Sequence, residues 1–183
     1  MNWLVFTLAA YLAYALDTGT RTLLQWHGVA PSFLLILAAY VGMLAPRSTV
    51  VWAYLVLGVL TDLVGPYTSG VTIIGPAALG YLVGSAAILQ LRSLVFRESV
   101  LSLSVLTFAV GLFIHLTMLA ILKLRGLSFL TGEPMALSAA NALVQAFLHL
   151  LYSAVMAAPI GYLLLRTTAL WSFPGKIRMD RYH

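Results

Sequence analysis

Long apolar runs occupy almost the whole of this chain and are broken only by short charged or turn-forming stretches. The chain is 62% hydrophobic and 8% charged, so it has too little polar surface to cover a soluble globule. An all-α polytopic membrane protein is therefore the predicted fold class. Its 183 residues leave room for about six transmembrane helices of roughly 20 residues in one compact bundle, with no second soluble domain.

Six segments have the composition of spans, and each ends at polar or turn-forming residues. They cover approximately residues 3–23, 32–45, 50–64, 71–91, 99–122 and 137–165, and a basic tail follows over 166–183. The second and third are shorter than the roughly 30 Å hydrocarbon core requires, so both are predicted to lie inside the bundle. Pro76 either kinks the fourth segment or marks its first turn.

The first segment has two interpretations. Its short apolar run and the small residues Ala13 and Ala15 fit a signal peptide with its cleavage site. No Lys or Arg precedes the run, however, and this favours a retained first span.

The basic residues predict the orientation. With a cytoplasmic N-terminus, seven of the 10 Lys and Arg residues lie inside and three lie outside, as the positive-inside rule requires. Both termini are therefore predicted to be cytoplasmic, in a bacterial inner membrane. The net charge of +5 is explained by this orientation, so no nucleic-acid partner is expected, and the absence of cysteine excludes thiolate chemistry.

One carboxylate, that of Asp62, interrupts the third segment. A carboxylate at the bilayer centre costs about 2.5–3.5 kcal/mol on insertion scales, so Asp62 should face protein or water. The stretch runs from Gly58 through Pro66 to Gly70, and its density of turn formers predicts that the helix ends within a turn of Asp62. Asp62 is thus expected near the outer membrane face.

A structural role is predicted for Asp62, with two alternatives for its partners. The carboxylate is held either by hydrogen bonds from the following turn, at Tyr67, Thr68 and Ser69, or by the cation of Arg21. The predicted topology places all of these residues on the outer side.

Small residues predict close helix contacts. Gly80 and Gly84 form a Gly-x-x-x-Gly face, which lets another backbone approach closely. That neighbour is either a helix of the same chain or a second copy, so a homo-oligomer is left open.

Polar and small residues also recur at every fourth position in the last two segments. They are Thr107, Gly111 and His115 in the fifth segment, and Asn141, Gln145 and His149 in the sixth. The simpler interpretation is interhelical hydrogen bonding. The alternative places His115 and His149 with Asp62 in a proton path or ligand pocket, or in a metal site.

Motifs of other chemistry are missing from the sequence. It has no phosphate-binding loop, no nucleophile elbow, no zinc-protease spacing and no paired carboxylates at catalytic spacing. We therefore predict a protein that is not an enzyme and has no metal or cofactor.

Pro31 and the residues after it, Pro-Ser-Phe-Leu-Leu, together with Gly58, Asp62 and Gly70, resemble the rod shape-determining protein MreD family. That family opens its second span with a Pro-Asp/Asn-Leu-Leu type motif and then has a Gly-Leu-x-x-Asp segment that ends at a glycine. Ser32 departs from the acidic or amide residue. The resemblance covers about residues 31–91 and rests elsewhere on hydropathy alone.

The resemblance implies a fold like that of the substrate-binding subunits of energy-coupling-factor vitamin transporters. It also implies a non-enzymatic scaffold in the cell-shape and lateral peptidoglycan-synthesis machinery. The implied partners are MreC, MreB, RodA and a class B penicillin-binding transpeptidase, besides the lipid bilayer. The competing hypothesis is a vitamin-transporter subunit with a pocket near Trp26, Tyr67 and Phe129.

Overall fold

A computed structural model describes residues 1–19, 21–25, 29–64, 75–93, 99–126 and 139–172. These residues form six helices of twelve residues or more, a four-residue helix and a 3-10 turn, and no β-strand. In chain order the elements are α1 (Trp3–Gly19), α2 (Arg21–Leu24), α3 (Phe33–Leu44), α4 (Arg47–Val64), α5 (Pro76–Leu91), α6 (Val100–Gly126), α7 (Ala139–Arg166) and the 3-10 turn Thr168–Trp171. The all-helical fold class is therefore as predicted.

Two helices are long and apolar enough to cross a membrane. They correspond to Val100–Ile121 in α6 and Leu143–Arg166 in α7. Helices α1, α3 and α5 are apolar but have 17, 12 and 16 residues. By length and composition, the chain thus has two candidate membrane-spanning helices within the described residues.

The helix limits differ from the predicted segments where polar residues continue a helix. Helix α4 begins at Arg47, three residues before the predicted start, and α6 continues to Gly126. An α-helix satisfies its backbone hydrogen bonds internally, so polar residues extend it without cost to the backbone. At Pro76 the first-turn alternative is the observed one, because Pro76 begins α5.

Helix α3 lies at the centre of the bundle. It packs against α1, α4, α5, α6 and α7, and every residue from 34 to 42 is buried. A helix that is apolar all round is stable only when other elements cover it. The predicted interior position of this segment agrees with the structure, whereas α4 exposes Val51, Trp52 and Val56 on one face.

Glycines set the close contacts among α4, α5 and α6. A Cβ atom on Gly58 would lie 2.7 Å from the Cα of Ala78, and one on Gly80 would lie 2.9 Å from the carbonyl oxygen of Ile114. A Cβ atom on Gly84 would lie 2.7 Å from the Ile114 side chain. The Gly80 and Gly84 face therefore packs against α6 of the same chain, which is the internal alternative.

The two chain ends of the described bundle meet. The Asn2 amide donates to the Trp171 carbonyl at 2.9 Å, and the buried Trp171 ring lies edge-on to Tyr40 with centroids 5.1 Å apart. A separate contact ties the end of α5 to the end of α3: Arg92 Nη1 donates to the carbonyl of Ala45, the residue that follows α3, at 2.7 Å. The beginning of the predicted tail is thus folded onto the central helix, and residues 173–183 lie outside the described part.

Candidate functional site at two capped helix starts

The Asp62 side chain caps the N-terminus of α5. Its Oδ2 accepts hydrogen bonds from the amides of Gly75 at 2.8 Å and Ala78 at 3.1 Å, and its Oδ1 accepts from Ala77 at 2.9 Å. Pro76, between these donors, has no amide hydrogen. The first amides of a helix lack intrahelical partners and form its positive end, so a carboxylate there satisfies and stabilises them.

This arrangement supports a structural role for Asp62 but with other donors than those expected. The Tyr67, Thr68 and Ser69 turn and the Arg21 side chain lie outside the described residues, so those two alternatives stay predictions. The observed donors lie 13 to 16 residues further along the chain. Gly75 at the N-cap has no side chain to accept from its own helix, and this is the sequence signal that a distant acceptor was needed.

Asp17 caps α3 in the same way, and the sequence interpretation missed it as a site residue. Its Oδ1 accepts from the Phe33 amide at 2.6 Å, and its Oδ2 accepts from the Leu34 amide at 3.2 Å and the Ser32 hydroxyl at 3.3 Å. Ser32 also accepts from the Leu35 amide at 3.2 Å, so Ser32 is itself an N-cap. Ser32 therefore provides the local N-cap of α3.

Tyr81 of α5 lies between the two capped starts. Its buried hydroxyl accepts from Thr61 Oγ1 at 3.2 Å, and the Ser32 side chain lies nearby. The carboxylates of Asp17 and Asp62 both act electrostatically on this hydroxyl. Asp17, Ser32, Thr61, Asp62 and Tyr81 therefore form one polar group inside an apolar bundle, which we call the capping cluster.

The capping cluster reaches α7 through Ser153. The Ser32 amide donates to Ser153 Oγ at 3.0 Å, and Ser153 in turn donates to the His149 carbonyl at 2.8 Å. Ser153 is completely buried. The start of the central helix is therefore tied to α1 and to α7 at once.

His115 and His149 face each other across α6 and α7. Their ring centroids are 5.1 Å apart, and His115 Nδ1 lies 3.0 Å from the Gly111 carbonyl oxygen. This pairing agrees with the predicted polar faces, but two other members of the stripes behave differently. Thr107 donates to the Leu103 carbonyl of its own helix, and Gln145 is exposed.

The structure does not join the histidine pair to Asp62. Helix α4, which carries Asp62, does not pack against α6 or α7 over their described lengths. The predicted proton path or pocket uniting these three residues is therefore not assembled, because the central helix α3 and helix α5 lie between them. Among all the residues that the structure describes, no group of three or more His, Asp or Glu residues is arranged to hold a metal ion.

An apolar groove opens between α6 and α7 beside the histidine pair. It has a volume of about 370 Å³. We call it the α6–α7 groove, and its wall includes Leu112, His115, Leu116, Val144, Phe147 and Leu150. The pocket predicted near Trp26, Tyr67 and Phe129 lies outside the described residues.

Comparisons with protein-family models, curated proteins and solved structures find no match to this chain. The class that fold and site define is therefore an all-helical protein with two candidate membrane-spanning helices and a partly buried capping cluster.

Proposed function

We propose that this protein is a six-span integral membrane scaffold without enzymatic activity, of the kind that the MreD resemblance implies. It works in the bacterial inner membrane with both termini in the cytoplasm. Its task is to hold partners of the lateral wall-synthesis machinery in place. Those partners are MreC and, with it, MreB, RodA and a class B penicillin-binding transpeptidase.

The main support for this proposal is that both described carboxylates, those of Asp17 and Asp62, accept hydrogen bonds from backbone amides. Each oxygen of Asp62 and of Asp17 accepts at least one hydrogen bond from the start of a helix. A general acid or base needs a proton-transfer atom within reach of a substrate, whereas these oxygens are aimed at backbone amides. Such groups fix the position of helices, which is what a scaffold requires.

The apolar surface supports the membrane setting. Leu112, Phe113 and Leu116 of α6 and Leu143, Val144 and Phe147 of α7 are all exposed. In water, apolar patches of this extent favour aggregation or binding, so a lipid or protein environment must cover them.

A six-span fold also requires that the short helices cross the bilayer or are enclosed by the other helices. At 1.5 Å per residue, α3 is about 18 Å long and α5 about 24 Å, less than the roughly 30 Å hydrocarbon core. A short span is tolerated where the bilayer thins locally or where protein covers its ends. The burial of residues 34–42 beneath the other helices gives α3 protein cover over most of its length.

The test is co-purification from native membranes. The tagged full-length chain, extracted in mild detergent, is expected to bring down the MreC-like and RodA-like proteins of its own organism. An unrelated tagged membrane protein of similar size, extracted in parallel, is the control. Recovery of this chain alone, in an organism that has both partners, would rule the scaffold out.

A solute-binding subunit of an energy-coupling-factor type vitamin transporter is the second candidate. The α6–α7 groove favours it, since about 370 Å³ lies within the range of small-molecule pockets. This candidate predicts a vitamin that raises the melting temperature of the purified protein. A screen of vitamins without any such shift would remove it.

A further inference from the structure

Two ionisable side chains meet where α6 and α7 pack together. The rings of His115 and His149, one from each helix, have centroids 5.1 Å apart and planes inclined by 47°. Both residues are partly buried. Imidazole has an ordinary pKa of about 6.5, so mild acidification adds charge to this side chain. The contact therefore joins two groups of the same kind, each able to become positive.

His115 is held in place by a hydrogen bond to its own helix. Its Nδ1 lies 3.0 Å from the Gly111 carbonyl oxygen, which can only accept, so Nδ1 carries the proton of the neutral ring. Nδ1 keeps this proton when the ring gains a second one, and the bond to Gly111 is kept as well. Turning the ring of His115 away from His149 would break that bond. Protonation thus acts on a ring whose position is fixed.

The contacts between α6 and α7 are closest on one side of the histidine pair. A Cβ atom on Gly161 would lie 2.5 Å from the Leu103 side chain, and one on Gly111 would overlap the Leu150 side chain. In the other direction, toward Leu119, the α6–α7 groove lies between the helices. We call these the close side and the groove side of the pair. The histidines lie between the two.

The other titratable residues of the helices around the pair keep their charge state in mild acid. On α3, α5, α6 and α7 they are Tyr40, Tyr81, Tyr152, Tyr162, Lys123, Arg125 and Arg166. Tyrosine is neutral below about pH 10, and lysine and arginine stay positive. The carboxylate of Asp17, on α1, is linked to α7 through Ser32 and Ser153. Within α6 and α7, the two histidines are therefore the residues that gain charge between pH 8 and pH 5.

We propose that His115 and His149 form a pH-sensitive hinge, in which neutral rings let α6 and α7 lie together and protonation of both rings separates the two helices on the groove side. Two positive rings at this distance repel each other, and more strongly where the surrounding helices exclude water. The contacts on the close side hold that end of the two helices together. This device goes beyond the scaffold role and does not depend on it.

Distances between spin labels test the movement. The chain has no cysteine, so paired cysteine substitutions carry the only labels. Leu124→Cys with Gln145→Cys reports on the groove side, and Leu101→Cys with Leu163→Cys reports on the close side. All four positions are exposed, and none of them lines the groove. From pH 8 to pH 5, the purified protein should show a groove-side distance that is longer by several ångströms and an unchanged close-side distance.

His149→Phe is the matched control, because phenylalanine keeps a ring against His115 but cannot gain a charge. The groove-side distance of this variant should be the same at pH 8 and pH 5. An equal lengthening in His149→Phe would assign the pH response to another group and refute the proposal. Lengthening of both distances in the protein with both histidines would mean a general loss of packing, which also refutes the hinge.

The charge of the rings is measured separately. The chain has four histidines, so with His27→Gln and His183→Gln the pair supplies the only imidazole signals, which NMR can follow from pH 8 to pH 5. Two coupled protonation steps are expected, and His149→Phe should leave a single step. Rings that remain neutral at pH 5, or that take up both protons without a change in the groove-side distance, would each overturn the proposal. No partner protein enters these measurements, so their outcome is independent of the scaffold function.

Discussion

The starts of α3 and α5 are both capped by an aspartate, but they differ in how many residues supply the hydrogen bonds. At α5, one fully buried carboxylate, that of Asp62, accepts from the Gly75, Ala77 and Ala78 amides. At α3, three side chains accept hydrogen bonds from the backbone amides, those of Asp17, Ser32 and Ser153. Asp17 is also only partly buried. The start of α5 therefore depends on one residue, whereas the start of α3 has several acceptors.

The contrast follows from the local sequence. The α5 start is Gly75-Pro76-Ala77, whose side chains contain no acceptor, and Gly75 adopts φ +138°, a conformation that favours glycine. The α3 start has Ser32 as its own N-cap. A helix without a local N-cap needs a hydrogen-bond acceptor from elsewhere in the chain, and the stability of its first turn then depends on that residue.

The largest expected effect is that of Asp62→Leu. Leucine leaves the buried amide of Ala77 and the partly buried amides of Gly75 and Ala78 without this acceptor, so we expect a loss of stability on the order of 3 kcal/mol. The measurement is the melting temperature of the detergent-solubilised protein. Leu63→Ala, at the exposed neighbouring position, is the control and should melt close to wild type. A wild-type melting temperature for Asp62→Leu would end the claim that α5 depends on one residue.

Asp62→Asn separates capping from proton transport. Asparagine keeps one oxygen that can accept and removes the charge, so the variant should melt between wild type and Asp62→Leu and still bind its partners. A proton-coupled transporter predicts unchanged melting with loss of a pH-dependent flux in proteoliposomes. Such a flux, present in wild type and lost in this variant, would move Asp62 from a structural to a transport role.

The next effect is that of Gly58→Leu, which tests why Asp62 can reach α5. Gly58 lies one turn before Asp62, and its missing Cβ lets α4 approach Ala78 and Tyr81. Leucine should push the helices apart and destabilise the protein by about 1–3 kcal/mol. Val56→Leu, on the exposed side of α4, should change the melting temperature little. Equal melting of the two variants would show that the close approach is incidental.

Asp17→Asn should have a smaller effect than Asp62→Leu. The Leu35 amide keeps Ser32 as its acceptor, and asparagine keeps one oxygen for Phe33 or Leu34. We therefore expect a loss of about 1 kcal/mol, typical of a weakened N-cap. Side-by-side melts of Asp17→Asn and Asp62→Asn test the comparison directly, and a larger loss for Asp17→Asn would reverse it.

The smallest expected effect is that of Tyr81→Phe, which removes the hydroxyl between the two starts. The loss should be about 0.5–1 kcal/mol, the value of one hydrogen bond. Combining it with Asp17→Asn in a double-mutant cycle measures the coupling between Tyr81 and the cap of α3. Strict additivity would mean that Tyr81 and Asp17 act independently and that the capping cluster is not one unit.

Hydropathy and the spacing of turn formers determined much of the fold in advance. They predicted the six longer helices, the all-helical class and the interior position of the central helix, because apolarity along a segment is a local property. They also singled out Asp62, since an isolated carboxylate among apolar residues needs a partner whatever the fold. The Gly80 and Gly84 face was likewise visible, although its neighbour was not.

Only the tertiary structure decided which groups those residues meet. The amides bound to Asp62 belong to a helix that starts more than ten residues later, and those bound to Asp17 lie 16 and 17 residues away. Backbone amides carry no signature in the sequence, so neither cap could be assigned from residue types. In the sequence, Asp17 is only a polar residue near the end of an apolar segment. Its capping role is visible only when the structure places the start of α3 beside it. The histidine pair and Asp62, which one hypothesis from the sequence united in a proton path or pocket, lie on helices that do not pack against each other within the described residues. Chain topology, and not residue type, decides which helices are neighbours.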